Sequence, residues 1–234
     1  MLARQVKADG ETRYDYSGVE AALRLKAQPG CEASVFVLVL GCAKEAVQQV
    51  REAIAMGADD GRALVLSDQA EPDAAAFARI FAEHVQEEDF TLLLSGSFPL
   101  DADTAATGLL TAVKLGIPFV SHVDSIQHAQ EGTALTVVRK ADGRVQTLSV
   151  STPCLASVLP HPEAPVYKTV AGINRAYARE IELISVQCEG SSVCAEVRGR
   201  EKAQGRKRGR LLTAVSTDEA VRQLIAEITE QHLL

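Results

Sequence analysis

Between Leu93 and Gly108 the chain reads Leu-Leu-Ser-Gly-Ser-Phe-Pro-Leu-Asp-Ala-Asp-Thr-Ala-Ala-Thr-Gly. An apolar run, Thr91 to Leu94, ends in a small-residue turn at Gly96 and Ser97. Asp101, Asp103, Thr104 and Thr107 then surround the start of a helical pattern over Ala105–Leu115. A strand that passes into a helix in this way leaves backbone N–H groups unpaired at the positive end of the helix dipole, where an anionic phosphate binds well. Thr104 and Thr107 add hydroxyl donors. The same residues also read as a plain helix start with Asp103 or Thr104 as N-cap. There is no Walker lysine and no Gly-x-Gly-x-x-Gly.

Other chemistry is thinly signalled. The five histidines (84, 122, 128, 161 and 232) sit in no acid/base motif, and a surface or capping role suits each of them. No Gly-x-Ser-x-Gly elbow or His-Glu-x-x-His stretch occurs. The five cysteines (31, 42, 154, 188 and 194) are odd in number and form no Cys-x-x-Cys pair, so neither a disulfide framework nor a zinc site is indicated and a cytoplasmic location is expected. Cys42, before a helix, suits either a lowered pKa or a small buried turn residue.

The elements that must position such a site follow from the apolar pattern. A helix is expected over Val19–Lys26, stopped by Pro29-Gly30, then a strand over Ser34–Leu40 whose continuous apolar run fits burial on both faces. Gly41-Cys42-Ala43 turns into a helix over Lys44–Met56 with Gly57 as C-cap. Strands at Ala63–Leu66 and Phe90–Leu94 enclose a helix at Asp73–Gln86, and a further strand starts at Ile117–His122. This alternation predicts an α/β fold: a doubly wound, mostly parallel, Rossmann-like three-layer sheet with ligands at the carboxyl ends of its strands. The turns at Gly41 and Gly96 both lie at such ends. Ala134–Arg139 and Val145–Val150 flank an Asp142-Gly143 hairpin signal, and Cys154–Leu159 is one more strand.

Composition sets the limits. At 234 residues, with 47% hydrophobic and 24% charged residues, the chain suits one large domain with an arm; the expected division is 1–185 and 186–234. The longest uncharged apolar run, Ala33–Cys42, is too short to span a bilayer, so no membrane insertion is expected. Seven of the thirteen residues from Arg198 to Arg210 are Lys or Arg, but no aromatic is interleaved and the net charge is −7. That favours a solvated linker over a nucleic-acid patch. Ser216-Thr217-Asp218-Glu219 is a capping box opening a helix whose Ala220, Leu224, Ile225 and Ile228 share one face, a face that must dock on its own domain or on a partner.

Taken in order, several segments resemble the β (small) subunit of electron-transfer flavoproteins. Gly96–Gly108 is similar to that family's adenine-nucleotide loop, G-x-Q-A-I-D-x-D-x-x-Q-[TV]-G. Ala53-Ile54-Ala55-Met56-Gly57-Ala58-Asp59 resembles its A-L-A-M-G-A-D, and Leu115-Gly116-Ile117-Pro118 its L-G-[WI]-P. Pro165 to Ala176 resembles P-R-Y-x-x-L-P-[NG]-I-M-K-A. The fold implied is adenine-nucleotide-hydrolase-like. Departures are an opening strand reduced to Leu2–Val6, Thr12-Arg13-Tyr14-Asp15 in place of N-P-[FY]-D, Ala106 in place of the loop's glutamine, Asn174 in place of a methionine, and Ala178 where a lysine is common. A shortened central strand would leave backbone groups exposed along one wall of the pocket.

The resemblance implies a heterodimer with a larger α subunit, whose FAD is shared with this chain. It also implies an adenine nucleotide in this chain: AMP in simple carriers, or a second FAD in electron-bifurcating members. By position Leu2, Gly41, Cys42, Gly96, Ser97, Asp101, Asp103, Thr104, Thr107 and Gly108 would line that pocket. The loop around Val170, with Ile173 and Arg175, would dock on acyl-CoA dehydrogenase-type flavoenzymes, Val170 acting as an apolar anchor. No acid/base or nucleophilic chemistry of the chain's own is implied. A flavin-free adenine-nucleotide-binding module of the same fold remains the rival reading.

Overall fold

The computed structural model describes residues 2–8, 11–14, 16–66, 73–96, 106–128, 134–160, 166–187 and 216–230, with the backbone alone for 2–8 and 11–14. The chain divides into two compact units, Met1–Cys194 and Ala195–Leu234.

In the first unit, strands β1 (Leu2–Ala8) and β2 (Glu11–Tyr14) precede helix α1 (Ser17–Lys26). Strand β3 (Phe36–Gly41), helix α2 (Ala43–Met56), strand β4 (Asp60–Leu66), helix α3 (Ala74–Val85), strand β5 (Leu92–Gly96) and helix α4 (Ala106–Leu115) follow in strict alternation. Then come strands β6 (Phe119–His128), β7 (Ala134–Ala141), β8 (Arg144–Ser151) and β9 (Cys154–Val158), helix α5 (Val170–Ala178) and strand β10 (Glu182–Val186). The strands form one sheet in the order β10-β4-β3-β1-β5-β9-β6-β7-β8, with β2 beside β1. From β10 to β6 every pairing is parallel; β6-β7, β7-β8 and β1-β2 are antiparallel. This is the expected α/β fold.

Strand alternation builds the three layers. Val37 and Val39 pack with Val50 and Ile54 of α2 and Ala176 of α5. Leu38 and Leu40 pack on the other face with Phe77, Ile80 and Phe81 of α3. Phe77, Ile80, Phe81 and Val85, which recur at helical spacing along α3, are all buried. Asp73 caps that helix by accepting from Ala76 N at 2.8 Å. Gly57 ends α2 with φ 134, its N–H donating to Ala53 O and Ile54 O. At the β7-β8 turn Asp142 (φ 50) and Gly143 (φ 70) take the two left-handed conformations of a primed hairpin.

Three features beyond the apolar pattern have physical causes. β6, which starts where expected, bulges at His122 (φ 57) and continues to His128, changing from a parallel neighbour, β9, to an antiparallel one, β7. β10 carries too short an apolar signal to stand out, since an edge strand packs on one neighbour only. The stretch from Val170 is helical, because Thr169 caps it: its hydroxyl accepts from Gly172 N at 2.9 Å. The second unit contains helix α6 (Thr217–Glu230), with the expected cap from Glu219 N to Ser216 Oγ at 3.3 Å.

β1 pairs with β3 only along Leu38–Leu40 and with β5 only at Ser95. Below that, among the described residues, Phe36 and Val37 of β3 and Leu92–Leu94 of β5 have no strand between them. A cavity of about 630 Å³ is lined there by Phe36, Leu38, Leu92, Leu93 and Leu94 together with Ala22 and Leu25 of α1. This slot lies at the amino ends of these strands, away from the carboxyl ends where open α/β sheets bind ligands.

Gly61 sits in β4 where an added Cβ would fall 2.7 Å from Val37 O and 2.8 Å from Val50 Cγ1. Since a sheet carbonyl cannot step aside, Gly61→Ala is expected to cost about 1–3 kcal/mol. Thermal unfolding would show this as a Tm lower by several degrees.

Candidate functional site at the strand ends

The decisive geometry is set by β1. It is the hydrogen-bonded neighbour of both β3 and β5, with Leu2 opposite Leu38 on one side and Ser95 on the other. The chain winds outward from β1 through β3 and β4, then returns across β1 by α3 to β5 and on to β6, with β9 later filling the place between those two. Strand order therefore reverses beside β1, and the crevice above such a reversal is where open α/β sheets bind ligands. Gly41 and Gly96, at the carboxyl ends of β3 and β5, flank that crevice two strand spacings apart, roughly 10 Å.

On the β3 side, Gly41 is buried and pairs with Val65. Cys42 is the N-cap residue of α2 in extended conformation (φ −71, ψ 149), and its thiol donates to Glu45 Oε2 at 2.8 Å. On the β5 side, Thr107 lies in the first turn of α4. Its carbonyl accepts from Thr111 Oγ1 at 2.7 Å, whereas its own Oγ1 is buried without a hydrogen-bond partner. Gly108 is buried one residue on, and an added Cβ would fall 2.8 Å from Ser95 Oγ. Ser95, which was not among the expected site residues, is likewise buried with an unpartnered Oγ. Its one sequence signal is a hydroxyl at the end of an otherwise apolar run. Leu2 contributes backbone pairing at the base of the crevice. Ser97, Asp101, Asp103 and Thr104 lie outside the described residues.

A second cluster lies on α5. Val170 at its start is 77% exposed and Tyr167 just before it 74%, with Ile173 and Tyr177 also exposed. Arg51 of α2 stacks its guanidinium 5.1 Å from the Tyr177 ring centroid. Arg175 points inward: its Nη2 donates to Ile54 O at 2.9 Å and Ala58 O at 3.5 Å, holding the carbonyl end of α2. Gly172 packs so closely on α2 that a Cβ would run into the Ala55 carbonyl. Glu52 anchors the approach to α5, accepting from Tyr16 OH (2.5 Å), Lys168 Nζ (2.8 Å) and Gln48 Nε2 (3.1 Å).

Among known families, the electron transfer flavoprotein domain matches residues 3–187. The chain belongs to the electron transfer flavoprotein family. Among its relatives, the Caffeyl-CoA reductase-Etf complex subunit CarD of Acetobacterium woodii is 29% identical over 94% of this chain and 86% of its own length. The electron transfer flavoprotein subunit beta of Thermoanaerobacterium thermosaccharolyticum is 26% identical over the same shares, 94% and 86%. That of Bradyrhizobium diazoefficiens is 31% identical over 84% of this chain and 77% of its own. This electron transfer flavoprotein subunit thus sides with the family's β subunits. The family associates with flavin and nucleotide, and the residues at the strand ends fit an anionic nucleotide group. The Thr107 hydroxyl is an unmet buried polar group, in the first turn of a helix whose leading N–H groups lack intrahelical partners. Among the described residues no cluster of His, Cys, Asp and Glu could hold a metal ion, and no helix is long and apolar enough to cross a membrane.

Burial opposes ionisation of Glu52, but the hydrogen bonds from Lys168, Tyr16 and Gln48 and the charge of Lys168 outweigh it and hold the carboxyl below its ordinary 4.5. A lowered folded-state pKa contributes stability that is complete above the unfolded value and lost as pH falls through the folded one. Glu52→Gln is expected to lower Tm at pH 7 by about 2–4 °C, corresponding to about 1 kcal/mol. Scanned by calorimetry, the difference from wild type should shrink as the pH drops below about 4.5. A constant difference across the range would contradict the ionic role.

Proposed function

We propose that this electron transfer flavoprotein subunit binds an adenine nucleotide in the crevice beside β1 and pairs with a larger α subunit. The heterodimer would carry electrons from acyl-CoA dehydrogenase-type flavoenzymes to a downstream acceptor. The observation that carries the reading is the placement of the Gly41 and Gly96 turns on either side of one strand at the reversal of strand order, with the Thr107 hydroxyl unmet between strand and helix. The crevice would hold AMP or a second FAD through Leu2, Gly41, Cys42, Gly96, Thr107 and Gly108, joined by Ser97, Asp101, Asp103 and Thr104. The names of relatives that serve CoA-thioester reductases support a partner that acts on CoA thioesters.

FAD shared with the α subunit supplies the redox chemistry when bound. This chain's residues bind, orient and exclude water. Residues 186–234 would form the arm that reaches a partner; Val221, Leu224 and Ile225 of α6 are exposed along one side of that helix. The exposed patch of Tyr167, Val170, Ile173 and Tyr177 would dock the flavoenzyme, with Arg175 keeping α5 seated on α2. A cytoplasmic location fits this work.

Co-expression with a cognate α subunit should yield a yellow complex, and acid release should give one flavin with AMP, or two flavins for a bifurcating member. A colourless chain that stays alone beside its cognate α subunit would contradict the proposal. Val170→Asp should weaken docking to the flavoenzyme by about 10–100-fold, read as a raised KM for the complex as electron acceptor, with flavin content unchanged.

A further inference from the structure

Arg51 differs from the other arginines near helix α5. Arg179 pairs with Asp60, Arg62 with Glu88 and Glu182, and Arg175 donates to carbonyls at the end of α2. Among the described residues Arg51 makes no ion pair and no hydrogen bond, and its Nε is buried without an acceptor. Its guanidinium carbon instead lies 5.1 Å from the centroid of the Tyr177 ring. Glu52, next along the chain, is engaged elsewhere, accepting from Lys168, Tyr16 and Gln48.

A guanidinium carries five N–H donors in a planar fork, and stacking on an aromatic face positions that plane without using them. Here the stack holds it beside an apolar surface. Tyr177 is 58% exposed and lies seven residues beyond Val170, two turns along the same side of α5, with Ile173 between them. The helix therefore presents an apolar stripe roughly 10 Å long, with a guanidinium that no carboxylate answers at its far end. A partner offering only an apolar pocket would dehydrate that charge and leave it unpaired, which is unfavourable. A partner with a carboxylate at the rim would gain an ion pair, strengthened once the apolar contact has excluded water. We infer that Arg51 pairs with a carboxylate of the flavoenzyme that docks on α5, roughly 10 Å from the pocket that takes Val170. The inference rests on the docking reading of α5 and adds to it the charge that the partner's surface must carry.

Steady-state kinetics of the complex with its cognate α subunit test this, with an acyl-CoA dehydrogenase reduced by its own substrate as donor. At low ionic strength Arg51→Gln is expected to raise KM for the complex about 3–10-fold, and Arg51→Glu by more than about tenfold, with kcat, flavin content and Tm close to wild type. Arg51→Lys, which keeps the charge, should recover part of the loss. In about 0.5 M salt the difference between wild type and Arg51→Gln should shrink to within about twofold, whereas the Val170→Asp defect should persist. If the Arg51 variants dock like wild type while Val170→Asp does not, the inference fails and the docking reading stands. A loss that salt leaves unchanged, or a Tm lower by more than about 5 °C, makes Arg51 a packing residue and overturns the inference. Failure of Arg51→Glu to join the α subunit assigns the charge to that interface and overturns it as well. If neither Val170→Asp nor Arg51→Glu changes KM, the docking reading fails and this inference with it.

Discussion

An inner strand of a parallel sheet must satisfy N–H and C=O groups on both sides at once, and this constrains its register to two neighbours together. β1 carries that constraint here. With Leu2 opposite both Leu38 and Ser95, the ends of β3 and β5 are locked relative to each other. Gly96 then stands level with Val39, and Gly41 ends roughly 7 Å further along. The crevice between those ends is a product of hydrogen-bond register, not of any residue that lines it. The same pairing, used over so few residues, leaves the slot at the amino ends, so the two ends of the central sheet differ in character: one polar and glycine-bounded, the other walled by core side chains.

Helix α2 joins the strand-end crevice to the exposed patch on α5. Its first residues follow Gly41 and Cys42 at the crevice, and its last carbonyls are held by Arg175 of α5. Fourteen residues place these ends roughly 21 Å apart. Gly172 lets α5 approach the α2 backbone closely, and Glu52, in the C-terminal half of α2, fastens the segment that leads into α5. The patch formed by Val170 and Tyr177 is therefore carried on a braced helix rather than on an open loop. Rigid presentation suits an apolar anchor, because little conformational entropy is then lost when it enters a partner's pocket.

Much of this was legible in the sequence because burial on both faces leaves a strong mark. Val37–Leu40 and the stripe from Phe77 to Val85 could hardly be read otherwise, and Asp142-Gly143 specifies its turn chemically. What escaped reading depended on distant partners. The helix at Val170 rests on Thr169 as a cap and on α2 as a platform. β10 exists because β4 offers it an edge, and β6 continues past His122 only because β7 takes over from β9. Ser95 escaped for the same reason: nothing near it in sequence reveals that Gly108, thirteen residues later, will lie against its hydroxyl.

The displaced titrations fall on the scaffold in a consistent way. Glu52 is held ionised where α1, α2 and the approach to α5 meet. Asp59, despite the burial that opposes its charge, is held ionised by Lys26, the Val35 N–H and the nearby Arg175. Lys26 lies on α1 and Val35 just before β3, so this second carboxylate joins the same face of the sheet beneath α2 and α5. Burial alone pushes the Cys154 thiol up, keeping it a neutral core group at the start of β9. Fixed charge is thus concentrated where helices must be braced against one another. At the strand ends the described polar groups are the Ser95 and Thr107 hydroxyls, the Cys42 thiol, which donates to the Glu45 carboxylate, and backbone amides. Thr107 sits in the first turn of α4, where the leading N–H groups also lack intrahelical partners, so unmet donors gather at that end of the sheet. The division follows from the chemistry of each group: carboxylates bracketed by cations hold the frame, and unmet donors cluster at the helix start.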